Sequence, residues 1–254
     1  MNIFNDGVLI EIHVRYCKSY QFQEVLLNEI NQSLIPTSIR KKLKSLESRA
    51  RFLLDNNSFK FPIGTARFVP NTKLKKLIKK LKEYKDAYDE IAHSLITNYI
   101  SARKELIKHE EIKNYPESIE GKFSLKWDIY KIFTENENII IDFLKEVIST
   151  LREETVTIFK KINAMILSGN ISGRTISSLK KFIINFNELN FIGDPLEESL
   201  NSIEKTILKK YNSKKISEDR DIQEKLKEKI NITLKKAQKD DIESIIKKYS
   251  KKET

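Results

Sequence analysis

Residues 59–70 read FKFPIGTARFVP, and they interrupt a chain whose other segments are rich in Lys, Leu and Ile. FKF and ARFV are short β-prone runs on either side of Pro62 and Gly64, residue types that favour a turn. Residues 8–16, VLIEIHVRY, alternate apolar and polar side chains at the period of a β-strand. The sequence therefore predicts a hairpin over residues 59–69 that pairs with the N-terminal strand in a small antiparallel sheet.

The hairpin also carries aromatic and basic side chains in alternation, at Phe59, Lys60, Phe61, Arg67 and Phe68. Aromatic rings among cations can form a stacking surface for single-stranded nucleic acid. A period of two explains the pattern more simply, because it places the phenylalanines on the core side and the cations in water. We expect the rings to be buried, which would exclude the stacking function.

The chain outside these strands has the apolar periodicity of helices. A helix is predicted from Pro36, with Ile39, Leu43, Leu46, Ala50 and Leu53 as its apolar stripe. Asn71 begins a second helix of about 40 residues, or roughly 60 Å. A third runs from about Asn138 to Gly169 and is the expected partner of the second. The predicted fold class is mainly α: an elongated bundle of long antiparallel helices with the small sheet.

Shorter elements complete the expected organisation. KFSLKWDIYKIF, residues 122–133, is interpreted as a short helix that buries Trp127. A further helix is expected over 175–189, and Asp194-Pro195-Leu196-Glu197 has the features of a helix start, with Asp as cap and Glu placed to reach back. We expect residues 1–204 to form one helical domain, and 205–254 a lysine-rich helical tail with a thin apolar stripe.

Composition and charge narrow the class of protein. Cys17 is the single cysteine, no apolar run approaches the roughly 20 residues of a membrane span, and the start lacks the basic lead of a signal peptide. A cytoplasmic location is therefore expected. Residues 36–85 hold 15 Lys and Arg against three acids, whereas residues 86–204 hold 14 against 20. The net charge of +11 is thus concentrated in separate segments.

The basic segment 40–85 is the candidate binding surface. Four of the nine arginines in the chain fall between residues 40 and 67, a cluster that high lysine usage does not explain. The alternative is that these cations are the solvated faces of helices. The candidate residues for binding a partner or nucleic acid are Arg40, Lys44, Arg49, Arg51, Arg67, Lys75, Lys79 and Lys82.

Catalytic motifs do not stand out in the sequence. It has no GxxxxGK[ST] loop and no His or Cys cluster at zinc-binding spacing, so we expect neither an enzyme nor a cofactor or metal site. SGNISGRTISS, residues 168–178, could hold a phosphate at a helix N-terminus. We favour the simpler interpretation, in which a glycine ends one helix and a Ser or Thr caps the next.

Several phrases together resemble an uncharacterised family of bacterial and phage proteins called domain of unknown function thirty-one fifty. They are LIEIHVRY, SRARFLL followed by GTARFVP, KFSLKWDIYKIF, and TLREETVTIF leading to LNFIGD, and they span about residues 8 to 200. Members are often encoded beside MoxR-type AAA ATPases and proteins with a von Willebrand factor A domain. The resemblance implies an adaptor or partner of such a machine, and it implies no catalytic residues.

Two functional hypotheses follow. The first is a non-enzymatic helical scaffold or adaptor whose charged faces bind a protein partner, either an AAA ATPase or a von Willebrand factor A domain protein. The second is a nucleic-acid-binding protein that uses residues 40–85 and the basic tail.

Overall fold

The computed structural model describes residues 3–15, 36–107, 117–131 and 136–252. The chain divides into two compact units. We call Val8–Lys131 the sheet unit, and Met1–Gly7 together with Ile132–Thr254 the helical unit. The described structure is mainly helical with one small sheet, as predicted.

The sheet unit contains a four-stranded sheet in the order β2-β3-β1-β4. Its strands are β1 (Gly7–Arg15), β2 (Phe59–Lys60), β3 (Arg67–Pro70) and β4 (Ser124–Tyr130). β2 and β3 form an antiparallel pair in which Phe59 faces Phe68, and β1 and β4 form another in which Ile12 faces Trp127. The predicted hairpin beside the N-terminal strand is therefore confirmed.

Two helices lie on one face of this sheet, α1 (Thr37–Asp55) and α2 (Asn71–Ile107). The buried row Val8, Ile10 and Ile12 of β1 packs with their apolar stripes in one core. The helices contribute Leu43, Ala50, Leu54, Leu77, Leu81, Tyr88 and Ala92 to this core. The element order β-α-β-β-α-β, with this strand order, is the ferredoxin-like split βαβ arrangement.

The helix predicted over residues 122–133 is wrong, because Ser124–Tyr130 is strand β4. Leu125, Trp127 and Ile129 recur at a period of two, and β1 supplies a pairing edge for them. Leu125 is buried, whereas Trp127 is only partly buried and packs against the core. Pairing with β1 therefore determines the conformation of this segment, which is too short for its apolar period to distinguish a strand from a helix.

Helix α2 packs against α1, β3 and β4 within the sheet unit. The partner predicted for it, the helix near Asn138, is α3 (Glu137–Leu167) and belongs to the helical unit. The buried residues Leu77, Leu81, Tyr88, Leu95 and Tyr99 recur along α2 at helical spacing, as predicted.

The helical unit consists of helices joined by short connections. They are α3 (Glu137–Leu167), α4 (Gly173–Leu189), α5 (Leu196–Ile203), α6 (Ser213–Glu218), α7 (Arg220–Ala237) and α8 (Ile242–Lys252), with a π-helical segment at Glu204–Leu208 and a 3₁₀ turn at Ile3–Asn5. α3 packs against α7 and α8, while α4 packs against α5 and α6. The start of α3 is capped by Asn136, whose side chain accepts a hydrogen bond from the Asn138 amide.

The lysine-rich segment after residue 204 belongs to the packed part of the helical unit. Ile216, Ile222, Leu226 and Ile230 are buried, and α7 packs against both α3 and α5. The boundary expected at residue 204 falls where the π-helical segment Glu204–Leu208 directly continues α5. Across the residues that the structure describes, no helix combines the length and apolar character needed to cross a membrane.

Candidate partner-binding surface

All eight predicted binding residues lie in the sheet unit, but they occupy different settings. Arg40, Lys44, Arg49 and Arg51 are on α1, Arg67 is on β3, and Lys75, Lys79 and Lys82 are on α2. Arg40 and Arg67 are half-buried, whereas the other six are exposed. The predicted residues thus share one unit but are divided among α1, β3 and α2.

Two of the arginines are held by carboxylates. Arg51 Nε lies 2.9 Å from Glu47 Oε1, and Arg67 Nη2 lies 3.3 Å from Asp55 Oδ1. Arg67 Nε also donates to Ser58 Oγ at 3.2 Å. Both arginines line one cavity of about 200 Å³ between α1 and the hairpin. Arg67 thereby joins β3 to the end of α1, whereas the Arg51 pair lies within α1. Because each guanidinium already has a carboxylate partner, both offer less charge to a ligand.

Arg40 is also engaged with the fold. It is half-buried near the start of α1, and within the part of the chain that the structure describes its buried Nε has no hydrogen-bond partner. A buried donor that lacks a partner costs about 1 to 3 kcal/mol. Arg40 thus contributes its aliphatic stem to packing and offers only part of its guanidinium to a partner.

The exposed cations lie on two helices. Lys44 and Arg49 belong to α1, and Lys75, Lys79 and Lys82 form one row along α2 because they are spaced by four and three residues. Within the described ranges, none of these five side chains lies within 4 Å of a carboxylate. They are the members of the predicted set that an anionic partner can reach without breaking an ion pair.

Phe52 is the residue that sequence reasoning missed. Its side chain is 70% exposed, although phenylalanine normally favours burial. At 100° per residue, it projects from the side of α1 opposite Leu43, Ala50 and Leu54, which face the core. That geometry was available from the sequence, since Phe52 falls outside the predicted apolar stripe.

The exposed side of α1 combines Phe52 with small and basic residues. We call it the α1 outer face and define it by its exposed residues Lys41, Lys42, Lys44, Ser45, Ser48, Arg49, Arg51 and Phe52. Helical geometry places Ser45, Ser48 and Phe52 along its centre, with basic side chains on both flanks. An aromatic side chain among cations is suited to binding an acidic macromolecular surface.

A second charged cluster lies in the helical unit and is fully engaged. Arg152 of α3 is 5% exposed and forms ion pairs with Asp194 at 2.8 Å and Asp241 at 2.7 Å. Its Nη1 also donates to the Lys239 carbonyl at 2.7 Å. Burial lowers the pKa of Arg152, but the hydrogen bonds and charges of Asp194 and Asp241 outweigh it and raise the pKa. We call this cluster the Arg152 hub; it leaves no guanidinium nitrogen for a ligand.

The Arg152 hub connects two of the sequence phrases that carry the family resemblance. Arg152 lies in TLREETVTIF and Asp194 lies in LNFIGD. Asp194 also caps α5, because its Oδ1 accepts a hydrogen bond from the Leu196 amide. The expectation that Glu197 reaches back to the cap is wrong. Glu197 instead accepts from Asn190 Nδ2, while the Asp194 amide donates to Asn190 Oδ1.

The glycine-containing stretch 168–178 is a helix connection. Gly169 adopts a φ of 69°, a left-handed conformation that suits glycine, and follows the end of α3. The Ser172 side chain accepts a hydrogen bond from the Thr175 amide and so caps α4. The structural interpretation of this stretch is confirmed.

Comparison with known proteins shows a similarity to a tRNA ligase subunit. No family model matches the chain, and no solved structure matches it. The chain is 29% identical over 194 residues to the glycine–tRNA ligase beta subunits of Buchnera aphidicola subsp. Acyrthosiphon pisum strains 5A and APS. This alignment covers 72% of the chain, which spans only 24% of the length of each of those relatives.

Proposed function

We propose that the protein is a non-enzymatic adaptor that binds a protein partner through the α1 outer face. The observation that carries this proposal is Phe52, 70% exposed between basic flanks. Aromatic residues and arginine are the types most enriched at the centres of protein interfaces, whereas lysine is depleted there. Burying such a ring at an interface contributes about 1.5 to 3 kcal/mol.

The resemblance to domain of unknown function thirty-one fifty indicates the class of partner. A MoxR-type AAA ATPase or a von Willebrand factor A domain protein is the first candidate, because members of that family are often encoded beside such proteins. An adaptor needs a stable fold that presents one binding surface. The ion pair of Arg67 with Asp55 fits this role, because it joins β3 of the hairpin to the end of α1. We place the complex in the cytoplasm, where ATP is available.

Co-purification tests the proposal. The tagged full chain is expressed with a MoxR-type AAA ATPase of its host, and capture is compared with that by the double variant Lys44→Glu/Arg49→Glu. Lys160→Glu/Lys161→Glu, on the exposed side of α3, is the matched control because it makes the same charge change in the helical unit. We expect capture by the wild type and the control, and loss of capture by the α1 variant. Equal capture by all three would exclude the α1 outer face, and no capture by any would exclude this partner.

The second candidate function is nucleic-acid binding, which the lysine row of α2 favours. Lys75, Lys79 and Lys82 are exposed and spaced to follow a phosphate backbone. The similarity to glycine–tRNA ligase beta subunits gives this candidate a specific probe, a transfer RNA. The lysine-rich segment after residue 204 supplies further cations.

Salt dependence distinguishes this candidate from the first. If six or more phosphates are contacted, affinity for RNA should fall by about a thousandfold or more between roughly 50 and 200 mM salt. Replacing Lys75, Lys79 and Lys82 by Gln should then lower the slope of log affinity against log salt by about 3. An unchanged slope would exclude the lysine row as a phosphate-binding site.

A further inference from the structure

We infer that the α1 outer face binds an acidic, apolar-bearing protein segment, with Phe52 inserted into that segment as the anchor. The inference rests on the proposed adaptor function and specifies the chemistry of its partner. Three observations support it: the arrangement of side chains around α1, the distribution of their charges and the exposure of Phe52.

The centre of the face is shaped for close approach. Lys41, Ser45, Ser48 and Phe52 lie within about 40° of one line along α1, at 100° per residue. The two serines are short, so little side-chain bulk stands beside the aromatic ring along this line. A partner can therefore approach the helix closely and place an apolar pocket over Phe52, as grooves do over the anchors of a bound helix.

The flanks define the charge of the occupant. Lys42 and Arg49 project on one side of the line, about 60° to 80° away, and Lys44 and Arg51 project about 80° to 100° away on the other. The two acids of this helix, Glu47 and Asp55, are already paired with Arg51 and Arg67. Since Glu47 compensates Arg51, the cations left uncompensated within the described part of the chain are Lys42 and Arg49 on one flank and Lys44 on the other. They complement carboxylates on both sides of a partner's apolar residue.

The same arrangement favours a protein segment over single-stranded nucleic acid. Nucleic-acid platforms stack successive bases on several aromatic rings in a groove that follows the backbone. Phe52 is the single exposed aromatic residue of α1, and it stands on a convex helix. One projecting ring fits a pocket, where a single buried aromatic anchor can dominate the binding energy.

Fluorescence anisotropy with three probes tests the inference on the full chain. The probes are a labelled amphipathic peptide rich in Glu and Leu, the same peptide with Gln in place of Glu, and an oligothymidine of matched length. We expect the acidic peptide to bind, and the Gln peptide to bind at least about tenfold more weakly because it lacks charge. Phe52→Ala should weaken binding of the acidic peptide by about tenfold or more.

A matched control separates the anchor from general apolar exposure. Ile184 of α4 is 51% exposed, so Ile184→Ala removes a comparable exposed apolar side chain from the helical unit. We expect this variant to bind like the wild type. Both positions are on the surface, so both variants should keep the wild-type melting temperature.

Several results would overturn the inference. They are unchanged peptide binding by Phe52→Ala, equal binding of the Glu and Gln peptides, and absence of binding to the acidic peptide. Tighter, Phe52-dependent binding of oligothymidine would instead assign the face to single-stranded nucleic acid. If Lys44→Glu/Arg49→Glu loses the ATPase while Phe52→Ala keeps it, the proposed adaptor function stands and the anchor fails. If Phe52 governs peptide binding but the ATPase is never captured, the anchor stands and that partner fails.

Discussion

Arg152 of the helical unit and Arg49 of the sheet unit are used in opposite ways. In the helical unit, Arg152 is buried and binds two carboxylates and a backbone carbonyl. In the sheet unit, Arg49 is exposed and Arg51 holds a single carboxylate at the surface. Net charge therefore locates neither the strongest ion pair nor the reachable cations. Whether an arginine can serve a partner depends on how many of its donors the fold has already used.

The Arg152 hub also explains how distant segments of the helical unit are held together. Its partners Asp194 and Lys239 are 42 and 87 residues away in sequence. Removing one member of a buried ion pair leaves the other charge without compensation. The hub therefore stabilises the native arrangement mainly through the high cost of losing any one of its members.

The largest expected effect is the loss of Arg152. Arg152→Ala leaves Asp194 and Asp241 buried without their cation, and we expect a loss of about 3 to 5 kcal/mol in the free energy of unfolding. Arg152→Lys keeps the charge but cannot reproduce the guanidinium fork, so it should fall between the wild type and Arg152→Ala. Urea denaturation followed by circular dichroism measures this, with Arg49→Ala as the exposed control. A loss under about 1 kcal/mol would mean that the hub contributes no more than a surface pair.

A comparable effect is expected in the sheet unit from an apolar residue. Phe61 and Phe68 of the hairpin are 1% and 0% exposed, so the predicted burial is confirmed. Phe68→Ala should cost about 3 to 5 kcal/mol, because it removes a buried ring and leaves a cavity. Thermal unfolding checks this, and Phe52→Ala is the matched control in which the ring is exposed. Equal melting temperatures for the two variants would contradict the assignment of Phe68 to the core.

The sequence was sufficient for elements whose periodicity is long or whose ends carry specific residues. The 37-residue α2, the connection at Gly169 and Ser172, and the start of α5 at Asp194 followed from such local signals. β4 was missed because seven residues carry too little periodicity, and its conformation depends on pairing with β1. The split βαβ order could not be derived without that strand.

The same limit on prediction from the sequence applies to the candidate binding surface and to the Arg152 hub. The basic segment was visible in the composition, but the sequence could not show that Glu47 and Asp55 occupy Arg51 and Arg67. Nor could it show the Arg152 hub, because the three charges come from segments that are brought together only by packing. Phe52 is different: a helical projection of α1 would have placed it in solvent.

The smallest expected effect compares neighbouring arginines on the α1 outer face. Arg51→Glu removes the 2.9 Å ion pair with Glu47 and places two carboxylates one helical turn apart. On a helix surface, the lost ion pair and the new repulsion each lower the free energy of unfolding by a few tenths of a kcal/mol. The variant should therefore lose about 0.5 to 1 kcal/mol of stability. Arg49→Glu alters no ion pair within the described residues and should stay within about 0.5 kcal/mol of the wild type.

Urea denaturation at low and high salt measures this difference between Arg51→Glu and Arg49→Glu, which should shrink at high salt because surface charges are screened. We expect the opposite order of effects for the two variants when partner capture is measured. Among the described residues, Arg49 has no carboxylate within 4 Å, so it can give its full charge to an acidic partner, whereas Arg51 must first leave Glu47. Arg49→Glu should therefore weaken capture more than Arg51→Glu does, while destabilising the fold less. If the variant that loses more stability also loses more binding, the binding defect reflects damage to α1. The distinction between arginines held by the fold and arginines open to a partner then fails.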